Sequence, residues 1–168
     1  MVSRERQYWL MKCEPEAYTI DALARDGVTS WEGVRNFQAR NFMREMRQGD
    51  GVLFYASNAH PSGVTGMAEV AREAYPDHRA FQKGHEYYDP KSRPEKPMWY
   101  MVDVRFVERF PGVVSLETLK TTATLKGMMV VQPGRRPSVQ PVTGQEFDTV
   151  VQMGRGRKAG DAERRGTT

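Results

Sequence analysis

The chain contains a single cysteine, Cys13, among its 168 residues. One cysteine cannot form an internal disulfide bond, and it cannot supply a cysteine-based zinc site. The three histidines, His60, His78 and His85, lie among loop-forming residues without metal-ligand spacing, so we expect no metal. We also expect no cofactor, because the chain has no glycine-rich loop that could hold a phosphate.

Long hydrophobic runs are also missing. No apolar stretch approaches the roughly 20 residues that span a bilayer, and the pattern of a signal peptide is absent from residues 1–6. These absences lead us to expect a soluble, cytoplasmic protein without a membrane partner. We further expect it to be a monomer.

The positive charge is concentrated near the end of the chain. Residues 151–168 hold five Lys or Arg against two acidic residues, which accounts for +3 of the net charge of +4. The glycines and charges from Gly154 onward show no apolar periodicity, which is typical of disorder. We therefore predict one domain over residues 1–153 and a disordered basic tail over 154–168. A nearly neutral body favours a local pocket over a broad electrostatic grip on duplex nucleic acid.

The order of elements is mixed. Strand patterns alternate with short helical ones, and the strands lack the βαβ rhythm of a parallel sheet. The predicted strands lie near residues 7–13, 52–57, 64–70, 98–110, 128–131 and 138–142. A capping-box pattern at Thr143 to Glu146 predicts the start of the last helix. We expect an α/β (α+β) fold built on five or six mostly antiparallel strands that form a compact barrel.

The segment from Trp31 to Arg44 carries the densest functional signal. Trp31 offers an aromatic face on which a planar ring can stack, and Gly33 lets the backbone come close to that ring. Asn36 offers an amide that can form hydrogen bonds with the edge of a base. Asn36 also precedes a helix whose apolar residues recur at i, i+3, i+4 and i+7, so it is equally suited to cap that helix. Trp31 likewise has two interpretations, ligand wall or core residue, and spacing alone favours the core.

Seven motifs in order resemble the EVE domain family. They are YWLMKCEP at 8–15, WEGVRNFQARN at 31–41, FYASN at 54–58, GMAEV at 66–70, YDPKS at 88–92, WYMVDV at 99–104 and SVQPVT at 138–143. The resemblance spans about residues 7 to 153. It implies a PUA-like fold, a mostly antiparallel pseudobarrel with flanking short helices that is related to the YTH readers of methylated adenine. It also implies a pocket for a modified nucleobase, with altered cytosine suggested for some members.

The resemblance assigns a role to individual positions. Trp31 corresponds to the aromatic wall and Asn36 to the amide at the base edge, while the strand end at Lys12 and Cys13 lies across the pocket. Cys13 replaces the serine that is more usual there. The complete set predicted to bind the base is Lys12, Cys13, Trp31, Val34, Arg35, Asn36, Tyr55, Ser57, Tyr88 and Gln140. Tyr55 and Ser57 are placed on the pocket floor by the strand period of two.

Several of these residues have an equally ordinary structural interpretation. The insert that contains His85, Tyr87 and Tyr88 falls where YTH proteins supply a second aromatic wall, yet it could equally be a surface turn. Arg135 and Arg136 are predicted to bind phosphate, although two arginines between Gly134 and Pro137 also suit a solvated turn. Gln140 could read a base or satisfy a strand end.

An enzyme is the rival class. Hydrolases of the ASCH type, which share the PUA-like fold, use a lysine and a glutamate, and Lys12 and Glu14 would share one face of a strand. Pro15 is expected to end that strand, however, and no hydroxyl nucleophile is identifiable beside the pair. We therefore predict a non-catalytic module whose partner is modified DNA or RNA, with hydrolysis of a modified nucleoside as the alternative.

Overall fold

The structure is a computed structural model that describes residues 5–134 and 136–156. Its strands are β1 (Tyr8–Cys13), β2 (Val28–Ser30), β3 (Gly51–Ala56), β4 (Gly63–Pro76), β5 (Tyr100–Ser115) and β6 (Val139–Val142). Its helices are α1 (Ile20–Asp26), α2 (Phe37–Glu45), α3 (Leu116–Thr121) and α4 (Gly144–Gly154). Short 3-10 turns cover His78–Phe81, Ala123–Leu125 and Met129–Val131. None of the helices in the described part of the chain combines the length and hydropathy needed to span a membrane.

The six strands form one sheet in the order β2-β5-β4-β3-β1-β6. β1 and β3 run parallel, and the other neighbouring pairs are antiparallel. The prediction of five or six mostly antiparallel strands with short helices is thus confirmed, with six strands in the sheet. One predicted strand is wrong, because Met129–Val131 of the segment 128–131 is a 3-10 turn. The sixth strand is instead the short β2, which the sequence did not predict.

Each face of the sheet carries its own apolar core. Along β3, Val52 and Phe54 enter one cluster, while Leu53 and Tyr55 enter the other. We call the cluster that contains Phe54, Trp31 and the apolar side of α2 the first core, and the cluster that contains Tyr55 and the apolar side of α4 the second core. The alternation follows from the strand period of two.

Side-chain caps set the start of the helices. The Asn36 side chain accepts a 2.9 Å hydrogen bond from the backbone N–H of Ala39 and begins α2. Thr143 and Glu146 exchange the two hydrogen bonds of the predicted capping box. Helix α4 continues to Gly154, and Arg155 then pairs with Glu108, so ordered contacts extend past the predicted domain boundary at 153. The rest of the predicted tail, 157–168, lies outside the described residues.

Residues 77–99 form an irregular excursion between β4 and β5. The indole N–H of Trp99 donates to Oδ2 of Asp89 at 2.6 Å, and the hydroxyl of Ser92 accepts from the Met98 backbone N–H at 3.0 Å. The hydrogen bond from Trp99 lowers the pKa of Asp89. These two bonds join the ends of residues 89–99 to each other. Earlier in the excursion, Tyr87 contacts Arg35 in the segment that follows β2.

Candidate functional site

An open cavity of about 870 Å³ lies at the end of β1. Its walls come from residues 12–14 and 16–18, from residues 29–35, from Ser138 before β6, and from three residues of the 77–99 excursion, Arg79, Glu86 and Tyr87. The volume lies within the range of small-molecule sites, about 300–1,000 Å³. Of the predicted site residues, the structure brings Lys12, Cys13, Trp31, Val34 and Arg35 together here.

Trp31 is both a cavity wall and a core residue. Its ring packs edge-on against Phe54, with centroids 5.5 Å apart, and only 7% of the residue is exposed. Its backbone N–H donates to Val102 O at 2.7 Å, which fixes the segment beside β5. Trp31 therefore belongs to the first core, which holds its ring in place at the cavity, and its role as a ligand wall stays a prediction.

Tyr87 supplies a second aromatic side to the cavity. Its ring lies against Gly33, and its carbonyl accepts from Nε and Nη2 of Arg35 at 3.2 and 2.8 Å. The Arg35 guanidinium also lies 5.4 Å from the Tyr87 ring centroid, a cation–π distance. Tyr87 therefore lines the cavity, whereas Tyr88, the residue predicted from the sequence, is not part of the lining.

Asp77 organises this wall, although the sequence did not single it out. Its side chain is fully buried, and Oδ2 accepts from the Gly33 backbone N–H at 2.8 Å and from Nη1 of Arg35 at 3.0 Å. Its other oxygen accepts from the Arg79 N–H at 2.9 Å. One buried carboxylate thus connects the segment after β2 to the start of the 77–99 excursion. An aspartate after a proline is typical of an exposed turn, so the sequence carries no signal of this role.

Cys13 is a protonated thiol at neutral pH. Burial, followed by the nearby charge of Glu14, raises the pKa of Cys13 to about 11. Its Sγ lies 3.6 Å from Glu14 O, a distance that fits a weak thiol hydrogen bond. A thiol with such a high pKa is a poor nucleophile, so Cys13 serves the cavity as a small, weakly polar surface.

Lys12 and Glu14 contact different groups in the structure. Among the ion pairs of residues 5–134 and 136–156, none joins these two residues. Oε1 of Glu14 accepts from the Asn58 amide at 2.7 Å, and Nζ of Lys12 lies 5.8 Å from the Tyr55 ring centroid. Burial lowers the pKa of Lys12. The lysine and the glutamate thus have separate partners.

Besides Tyr88, four predicted base-binding residues are not in the cavity lining: Asn36, Tyr55, Ser57 and Gln140. Tyr55 belongs to the second core, on the sheet face opposite Trp31, so Phe54 is the β3 residue beneath the cavity wall. Ser57 follows the end of β3, and its backbone N–H donates to Cys13 O. Gln140 is buried, and its amide donates to Pro137 O at 2.9 Å, as expected of a residue that satisfies a strand end.

Asn36 acts in the structure as the cap of α2 and is exposed. Of the two arginines predicted to bind phosphate, Arg135 lies outside the described residues. Arg136 donates from Nη2 to Pro133 O at 2.8 Å, which is the geometry of a turn. Its guanidinium therefore already stabilises the loop that it belongs to.

The chain matches known proteins along most of its length. The family model described as EVE domain matches residues 7–153. Thymocyte nuclear protein 1 of Homo sapiens is 40% identical in an alignment that covers 87% of this chain and 73% of that protein. A structure of a hypothetical protein from Leishmania major superposes with a TM-score of 0.86 at 47% identity, covering 90% of this chain and 96% of that chain.

Two further solved structures share the fold of this chain. Human THYN1 in complex with 5-methylcytosine containing DNA superposes with a TM-score of 0.82 at 39% identity, covering 88% of this chain and 97% of that chain. The YTH domain of Mmi1 superposes with a TM-score of 0.54 at 12% identity over 90% of each chain, a likeness of fold alone. The match over residues 7–153 and the identity to the human relative show that this chain belongs to the EVE domain family.

Proposed function

We propose that this protein is a non-catalytic reader that binds one modified nucleobase of DNA in the cavity between Trp31 and Tyr87. The observation that carries the proposal is the pair of aromatic side chains that two separate segments bring to one open cavity. Planar bases stack on aromatic rings with a contribution of roughly 1–3 kcal/mol per base. The human relative in complex with 5-methylcytosine containing DNA makes 5-methylcytosine the first base to test.

The cavity is built to keep its shape before a ligand enters. The first core holds Trp31, and the buried Asp77 carboxylate holds Gly33 and Arg35, which in turn holds Tyr87. A preorganised site loses less conformational freedom on binding, so more of the stacking energy appears as affinity. The preorganised cavity supports a binding function, because a reader needs only to hold the ring of a base and to distinguish its substituents.

Tyr87→Ala tests the proposal, with Tyr88→Ala as its matched control. The probes are DNA duplexes that contain one central 5-methylcytosine or one unmodified cytosine, and RNA oligonucleotides of the same sequence. We expect Tyr87→Ala to weaken binding of the methylated duplex by about 5- to 150-fold, the equivalent of one stacking contact. Tyr88→Ala should bind like the unmutated protein. Unchanged binding by Tyr87→Ala, or an equal loss in both variants, would contradict the assignment.

Hydrolysis of a modified nucleoside is the competing function, through Lys12 and Glu14. The separate partners of these two residues favour binding instead. Chromatography of the same binding mixtures after prolonged incubation measures release of a free base. Release that requires Lys12 would replace the reader proposal with the enzyme. For the protein as a whole, we propose a monomer in the cytoplasm, which size-exclusion chromatography and cell fractionation can test.

A further inference from the structure

An aromatic–arginine surface lies on α2 outside the cavity. It consists of Phe37, Arg40 and Arg44 from α2, Trp99 at the end of the excursion and Tyr100 at the start of β5. Phe37 stacks on Trp99 with centroids 4.8 Å apart and an interplanar angle of 18°, yet 52% of Phe37 is exposed. A phenylalanine that keeps half its surface in water, already stacked on one side, offers its other side to a further planar group.

In residues 5–134 and 136–156, no carboxylate forms an ion pair with the arginines of this surface. Each guanidinium carbon lies 4.8 Å from a ring centroid, Arg40 over Phe37 and Arg44 over Tyr100. Arg40 also donates to Met98 O and to the Asn41 amide oxygen. Among the described residues, neither arginine has an acidic partner, whereas Arg47 pairs with Glu73 at the end of the same helix. Two positive charges therefore face solvent beside an exposed ring.

Arg35 connects this surface to the cavity. Its guanidinium carbon lies 5.4 Å from the Tyr87 ring centroid on the cavity side and 5.5 Å from the Trp99 ring centroid on the α2 side. Tyr87, Arg35, Trp99 and Phe37 thus form a continuous series of contacts from the cavity wall to the exposed ring. A strand that leaves the cavity past Tyr87 would meet Phe37 next.

The opposite rim of the cavity is unfavourable for a phosphate backbone. Glu14 and Glu16, which follow β1, lie at the cavity and are exposed, and none of the ion pairs of residues 5–134 and 136–156 includes either of them. Phosphates that crossed this rim would face like charges, which are destabilising. The charge distribution therefore favours a path in which the backbone of the bound strand runs over α2.

We propose that the aromatic–arginine surface binds the strand that flanks the base in the cavity. Phe37 stacks on a neighbouring base, and Arg44, assisted by Arg40, pairs with a phosphate. This inference rests on the proposed reader function, since it takes the cavity as the place of the modified base. It adds a second contact region whose role is affinity, because phosphate contacts position a strand whereas base contacts distinguish its sequence.

The test measures affinity and its salt dependence for Phe37→Ala and Arg44→Ala. The probes are duplexes with a central 5-methylcytosine or cytosine, titrated between low and physiological salt. We expect Arg44→Ala to weaken binding of both duplexes alike and to reduce the slope of log affinity against log salt by about one contact. Phe37→Ala should weaken both by about fivefold or more with an unchanged slope, because stacking releases no counterion.

Arg109→Ala is the charge-matched control. It removes the same single positive charge, but this arginine pairs with Asp21 at 2.7 Å. We expect its affinity and salt slope to equal those of the unmutated protein. Thermal melts establish that each variant is folded, and Phe37→Leu keeps apolar contact with Trp99 if Phe37→Ala unfolds. Normal DNA binding by both Phe37→Leu and Arg44→Ala would overturn the proposal, and a protein would then be the candidate partner of this surface.

The outcomes separate this inference from the proposed function. If Tyr87→Ala loses affinity while Arg44→Ala and Phe37→Leu do not, only the surface proposal fails. If the unmutated protein binds methylated and unmethylated DNA equally, the reader function fails, and a reduced slope for Arg44→Ala still supports a phosphate contact on α2. If the unmutated protein binds neither duplex nor RNA, both proposals are overturned.

Discussion

The ring of Tyr87 lies directly on the backbone of Gly33. A Cβ built on Gly33 would overlap two atoms of that ring and lie 2.8 Å from Cε1. The backbone of Gly33 also has a φ of +85°, in the region that glycine adopts without steric cost. The absence of a side chain at residue 33 therefore determines where the second cavity wall can stand.

Gly33→Ala should damage both stability and binding. The left-handed backbone alone costs a residue with a Cβ about 1–2 kcal/mol, and the new methyl group would push Tyr87 away from its place. We expect a lower free energy of unfolding in urea and a loss of affinity for methylated DNA comparable to that of Tyr87→Ala.

Gly49→Ala is the control for the backbone cost. Gly49 has a similar φ of +92°, but a Cβ there would meet no atom within 4 Å. This variant should lose a similar amount of stability from the backbone while binding normally once folded. If both variants bound DNA equally well, contact between Gly33 and Tyr87 would be irrelevant to the site.

Substitutions at Asn36 separate its capping role from a ligand role. Asn36→Ala removes the acceptor for the Ala39 N–H and should lower the free energy of unfolding by about 1 kcal/mol. Asn36→Asp keeps an acceptor, and its negative charge suits a helix N-terminus, so its stability should stay near that of the unmutated protein. We expect Asn36→Asp to discriminate methylated from unmethylated DNA normally, as measured by fluorescence anisotropy. Lost discrimination in this stable variant would restore the base-edge role.

Asp77→Ala should be among the most destabilising single changes in the excursion. It leaves the Gly33 N–H and the Arg35 guanidinium without their buried acceptor, and breaking a buried ion pair in this way costs about 3–5 kcal/mol. Asp77→Asn retains an oxygen that can accept one of these bonds and should lose less. Urea denaturation measures both. Equal unfolding midpoints for Asp77→Ala and the unmutated protein would show that the carboxylate does not organise the wall.

The sequence predicted the parts of this site that depend on periodicity. The apolar spacing of α2 and its preceding asparagine predict a capped amphipathic helix, and the structure has both. The strand period places Tyr55 and Ser57 on one face, but it cannot tell which face of the sheet bounds the cavity. Tyr55 consequently lies in the second core, and Phe54 supports Trp31 instead.

The irregular excursion was the least predictable part. Tyr87 and Tyr88 are adjacent residues of similar chemistry, and no periodic pattern distinguishes them within 77–99. Their difference arises from long-range contacts, namely Arg35 with Tyr87 O and Gly33 with the Tyr87 ring. The role of Asp77 was unpredictable for the same reason, because its partners Gly33 and Arg35 are more than 40 residues away in the sequence.

Cys13 provides a chemical probe of the cavity, because it is the only cysteine in the chain. Burial and the charge of Glu14 raise its pKa from 9.0 to about 11, so the thiol stays protonated as the pH rises through the range where a free cysteine ionises. Only the thiolate reacts with iodoacetamide. At pH 8 the folded protein should therefore be alkylated roughly a hundredfold more slowly than its urea-unfolded form, which follows from two pKa units. The rate should rise with pH until about 11.

The same reaction reports whether a base occupies the cavity. Cys13 is part of the cavity wall, so a bound base should cover its sulfur and slow alkylation further. We expect saturating methylated duplex to protect Cys13 from iodoacetamide at pH 9, with weaker protection by an unmethylated duplex at the same concentration. Tyr87→Ala should abolish the difference, whereas Tyr88→Ala should retain it. Tight binding of methylated DNA that left the alkylation rate unchanged would mean that the base binds away from this cavity, because a base held between Trp31 and Tyr87 has to approach the strand end at Cys13.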